Sequence, residues 1–69
     1  MTPGVYEFRV RVHLGETLRA AFPEMVSRID GRDTILAGTL PDQAAVYRVL
    51  GVIEELGVEL IALRRMPPG

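Results

Sequence analysis

Residues 41–66, PDQAAVYRVLGVIEELGVELIALRRM, constrain the fold more than any other stretch, because a helix with a start and a stop signal runs directly into an apolar strand. The Asp42 carboxylate is placed to cap the first turn, and Val46, Val49, Leu50, Ile53 and Leu56 follow at the spacings of one helical face. That face must be buried. Gly57 stands where a left-handed residue closes a helix, and Val58, Leu60, Ile61, Ala62 and Leu63 then read as a strand. The chain is therefore expected to turn straight back onto a sheet.

The amino-terminal half alternates instead. Across residues 5–13, Tyr6, Phe8, Val10 and Val12 fall on one side and Glu7, Arg9, Arg11 and His13 on the other, which predicts a strand with one buried face. Leu14, Leu18, Ala21 and Phe22 recur at helical spacing until Pro23 stops the run, predicting a helix of about two turns. Residues 25–30 and 34–40 read as strands, and Asp30-Gly31-Arg32-Asp33 between them is a hairpin turn sequence. Pro67, Pro68 and Gly69 cannot extend a ladder and are expected to fray, leaving residues 1–69 as one domain ordered over about 5–66.

The expected order is β-α-β-β-α-β. With right-handed crossovers it makes a four-stranded antiparallel sheet with two helices on one face, the first and third strands central and the second and fourth at the edges. In this order the α+β chain resembles the ferredoxin-like fold, whose members do unrelated jobs.

Size limits what such a domain does alone. A chain of about 60 residues buries only about 60% of its unfolded surface, so its stability is marginal. With no cysteine and a single histidine, disulfides, thiolate chemistry and a zinc site within one chain are not expected. Self-association is the remaining common support. No apolar run approaches the roughly 20 residues of a membrane span, and MTPGVYEFRV shows no basic segment followed by an apolar core, so neither membrane insertion nor secretion is expected and the cytoplasm is the expected location. All eight basic residues are arginine and asparagine is absent, a usage that suggests a bacterial genome rich in G and C. The net charge of −1 argues against general phosphate-backbone binding, and no nucleic-acid partner is expected.

If Tyr6, Phe8 and Val10 lie under the helices, Glu7, Arg9, Arg11 and His13 project from the uncovered side of a central strand. The third strand adds either Ile35, Ala37 and Thr39 or Leu36, Gly38 and Leu40, and the fourth either Ala62, Arg64 and Met66 or Ile61, Leu63 and Arg65; alternation alone leaves both choices open. A mixed apolar and arginine-bearing face suits a sheet-to-sheet or edge-to-edge contact, and Glu7, Arg9, Arg11, Ala62 and Arg64 are the candidate interface residues. The plainer alternative pairs Arg9 and Arg11 across strands with Glu7 or Glu59 in water.

Other families of this topology demand residues the chain lacks. An RNA-recognition domain needs aromatics on the open face of both central strands, whereas Tyr6 and Phe8 have the buried parity. An acylphosphatase needs an arginine-bearing loop after the first strand and an asparagine, and a heavy-metal-associated domain needs paired cysteines. ACT-type regulatory domains are a closer likeness: the chain resembles them in topology and in Gly15, followed by Leu18, at the turn from first strand to first helix, with His13-Leu14 where those domains carry Asp-x-Pro. That resemblance implies a small ligand near His13, Gly15 and Glu16, where free backbone N–H groups favour an anion. His13, the one side chain that titrates near neutrality unperturbed, is the sole catalytic candidate, in a cavity between subunits of a dimeric α+β barrel. No metal site or cofactor is expected. The expected role is non-enzymatic: a protein-interaction or assembly module acting as a homodimer or docking on a larger partner.

Overall fold

The computed structural model describes residues 3–11, 16 and 20–67 of the chain. Four strands, β1 (Gly4–Val10), β2 (Val26–Asp30), β3 (Asp33–Leu40) and β4 (Leu60–Arg65), form one antiparallel sheet in the order β2-β3-β1-β4. The helix α1 (Gln43–Glu55) joins β3 to β4.

The expected ferredoxin-like βαββαβ arrangement with two helices requires correction, because the described residues contain one helix and the fold is mostly sheet. Between β1 and β2 only Glu16, Ala20 and Ala21 are described with helical backbone, and Leu14 and Leu18 lie outside the described residues. The physical reason is length. Two turns share the nucleation cost among few hydrogen bonds, so a periodicity that short does not establish a helix. Val12 and His13, at the end of the expected first strand, and residues 68–69 of the expected tail also lie outside the described residues.

The helix follows its local signals at both ends. Asp42 is the N-cap and its Oδ1 accepts a hydrogen bond from the Ala45 N–H at 2.9 Å. At the other end the Gly57 N–H donates to the Glu54 carbonyl at 3.0 Å and the Val58 N–H to the Ile53 carbonyl at 3.3 Å, the paired bonds of a Schellman motif, with Gly57 at φ +71°. Val58 then packs on the core beside the helix, and β4 begins only at Leu60. Between β2 and β3 the loop is the two residues Gly31 and Arg32, and φ is positive at Gly31 alone (+63°), the pattern of a type II′ turn.

Register assigns the faces, since directly opposed residues share one. Phe8 lies opposite Leu36 on β3 and Leu63 on β4, and Tyr6 opposite Gly38 and Arg65. Tyr6, Phe8, Val10, Leu36 and Leu40 form the core with Ala45, Val46, Val49 and Ile53 of α1, together with Phe22 and Met25. Arg65, at the rim of this covered face, holds its guanidinium 5.9 Å from the centroid of the Tyr6 ring.

Candidate functional site: the open face of the sheet

The same register resolves what alternation left open. Arg9 lies opposite Ile35 and Ala62, Glu7 opposite Ala37 and Arg64, and Val5 opposite Thr39. On β2, Arg28 lies opposite Ile35 and Val26 opposite Ala37. The open face therefore takes Ile35, Ala37 and Thr39 from β3 and Ala62 and Arg64 from β4. Of the candidate interface residues, Glu7, Arg9, Ala62 and Arg64 come together on it, and Arg11 joins them through its side chain.

One row across the sheet reads Arg28, Ile35, Arg9, Ala62. Ile35 is on the side that α1 does not cover, yet it is only 3% exposed. Its two cross-strand neighbours are both arginines, whose long apolar stems lie along apolar surface while their charged ends reach water. A depression of about 90 Å³ opens here, lined by Glu7, Arg9, Arg28, Ile35, Ala62 and Arg64.

Beside it sits an ion network. Asp30 and Asp33 flank the hairpin turn and oppose each other directly, an arrangement that repels unless a cation intervenes. Arg9 supplies it: Nη2 donates to Asp30 Oδ2 at 2.6 Å and Nη1 to Asp33 Oδ2 at 2.8 Å. Arg11 Nε donates to Asp33 Oδ1 at 3.3 Å. The hydrogen bond from Arg9 holds the Asp33 carboxyl below its ordinary range, against the opposing effect of desolvation and with help from Arg11. Conversely, the hydrogen bond to Asp30, then that to Asp33, raises the already high value of the Arg9 guanidinium.

Arg9 and Arg11 thus pair with Asp30 and Asp33, not with Glu7 or Glu59 as the plainer sequence reading has it. The missed partners had a signal. Asp-x-x-Asp around a two-residue turn places two carboxylates face to face, and that demands a cation from the neighbouring strand. Arg28 and Ile35 follow from parity once the pairing of β2 with β3 is known.

The two remaining cations of this face are bound loosely. Arg28 Nη1 is 3.8 Å from Glu7 Oε2, well beyond the length of a charge-assisted hydrogen bond. Arg64 lies opposite Glu7 and forms no ion pair within 4.0 Å among the described residues. Apolar surface adjoins them: Val26 is 74% exposed and Val5 43%.

His13 and Gly15 of the expected ligand site lie outside the described residues, and Glu16 is exposed. Among the described residues no three side chains of the metal-binding types cluster. A second groove, of about 270 Å³, runs beside α1, with Phe22, Leu40, Ala45 and Val49 of the core as its walls and Arg48 at its rim. Among the described residues no helix is long and apolar enough to cross a membrane.

A family model matches residues 5–64, a span that contains β2 and β3 whole and all of β1 and β4 but Gly4 and Arg65. The chain belongs to that family, described as a domain of unknown function, DUF8691. No curated protein and no solved structure matches it. The matched span of DUF8691 includes every residue that lines the open-face depression.

Proposed function

We propose that the chain is a non-enzymatic association module, working in the cytoplasm, that docks through the open face of its sheet, either on a second copy or on a larger protein. The observation that carries this is an uncovered sheet face on which exposed Val5 and Val26 border arginines already held in position by Asp30 and Asp33. A guanidinium fixed before binding loses less rotamer freedom on association. Lack of cysteine agrees with a cytoplasmic site of action, since nothing in the fold depends on an oxidising compartment. The edge of β4 is a poorer surface for self-pairing, because Arg64 and Arg65 place adjacent like charges on it.

Light scattering across a concentration series tests the proposal. A homodimer gives twice the chain mass of 7.6 kDa, and Val26→Asp, which puts a charge into the apolar border without touching the core, returns it to the monomer. A strictly monomeric wild type at high concentration removes the homodimer form. A dimer indifferent to Val26→Asp and to Arg64→Glu places the contact elsewhere.

A further inference from the structure

We infer that the open-face depression receives a carboxylate side chain from an extended acidic segment of a different protein. This rests on the association reading above and names the chemistry of the partner. The depression is lined by three arginines (Arg9, Arg28 and Arg64) and one carboxylate (Glu7), although the chain as a whole is net negative. Asp30 and Asp33 are taken up by Arg9 and Arg11. Glu7 alone stands between Arg28 and Arg64, at 3.8 Å from the first and outside ion-pair distance of the second. The surplus positive charge is therefore local, and it borders the depression.

Ile35 and Ala62 are the apolar residues of its lining, which is otherwise charged. About 90 Å³ admits a group the size of a carboxylate and its adjoining methylenes. A carboxylate entering the depression would reach the N–H groups that Arg28 and Arg64 leave unused, a charge-assisted contact with planar donors.

Two observations choose among occupants. Exposed Val5 and Val26 lie on the same face as the depression, so the apolar surface extends further than a small free anion would cover. A protein segment covers both. A second copy whose two-fold axis passes through the depression would set each local surplus of arginine against itself, which is disfavoured. The occupant that matches both charge and apolar border is an acidic segment of another protein with apolar residues between its carboxylates.

The test is an NMR titration of the isotopically labelled chain with three probes: an eight-residue peptide alternating glutamate and valine, its lysine–valine counterpart, and inorganic phosphate. The glutamate peptide should shift the amides of Glu7, Ile35, Ala62 and Arg64 saturably, and the lysine peptide should leave them in place. Combined Arg28→Glu and Arg64→Glu substitution should weaken binding at least tenfold. Arg28→Gln with Arg64→Gln serves as the milder pair should charge reversal perturb the fold. The inference is overturned by equal response to both peptides, by undiminished binding in the double variants, or by phosphate binding as tightly as the glutamate peptide, which would make this a small-oxyanion site. Light scattering on the wild type and on the same double variant separates the two readings. A wild type that self-associates but does not bind the glutamate peptide overturns the acidic partner and leaves the association module standing, whereas a double variant that keeps its self-association and loses only the peptide supports both readings.

Discussion

Two substitutions of the same kind, Gly51→Ala and Gly57→Ala, should move stability in opposite directions. Gly51 is exposed in the interior of α1, and a Cβ added there meets nothing within 4 Å. Alanine should stabilise it by about 1 kcal/mol, through helix propensity and a less flexible unfolded chain. Gly57 also has open space around its Cβ position, but its φ is +71°. Alanine there pays about 1 kcal/mol or more for the left-handed backbone, and any relaxation of φ strains the hydrogen bonds from Gly57 to Glu54 and from Val58 to Ile53. Because neither site is sterically crowded, the difference between the variants is a pure backbone effect. In a domain of 69 residues each kcal/mol shifts the melting midpoint by about 4–8 °C, so the two midpoints should lie about 10 °C apart. Far-UV circular dichroism melts measure this, and urea titrations should show changed midpoints at constant slope. Shifts in the same direction, or a Gly57→Ala variant as stable as the parent, would refute the assignment of the helix end.

Other variants probe the core, the cap and the ion network. Phe8 is fully buried, so Phe8→Ala should cost about 3–5 kcal/mol, against a total stability of about 3–10 kcal/mol for a chain of this length, and leave much of the protein unfolded by circular dichroism at 25 °C. Asp42→Ala removes the acceptor of the Ala45 N–H and should lower stability by about 1 kcal/mol, read as a lower urea midpoint. Asp33 has its carboxyl held below the ordinary value of 3.8 in the folded state. Its contribution is therefore fully present above that value and is lost as pH falls through the lower folded value. Melting midpoints measured between pH 6 and pH 2 should fall less steeply for Asp33→Asn than for the parent, and parallel curves would show that Asp33 does not drive the acid dependence.

How far each part was legible depended on the range of its signal. Asp42, the stripe from Val46 to Ile53 and Gly57 announce α1 because capping, helical spacing and left-handed closure all act within a few residues. Gly31 announces the hairpin in the same way. The buried parity of Tyr6 and Phe8 was legible because aromatics alternate with charges along one strand. Between β1 and β2 the periodicity was too short, and two helices were expected where the described residues carry one. For the partners of Arg9 the sequence carried only the facing pair Asp30 and Asp33, and not which arginine meets it. They lie 21 and 24 positions away, Asp33 on the adjacent strand and Asp30 one strand further.

Ile35 shows the division most plainly. By itself the sequence determined that residues 34–40 would be a strand, that a turn across Asp30-Gly31-Arg32-Asp33 would precede it, and that Tyr6 and Phe8 would face a helix. These are local choices of backbone and side-chain direction. Only the tertiary structure decided that Ile35 would face away from α1 and still be buried, because its cover comes from Arg9 on one neighbour and Arg28 on the other. Register sets which side chains share a face, and a shift of one residue would reverse it. The cationic depression that Ile35 and Ala62 help to line exists only once three pairings, β2 with β3, β3 with β1 and β1 with β4, are all in place.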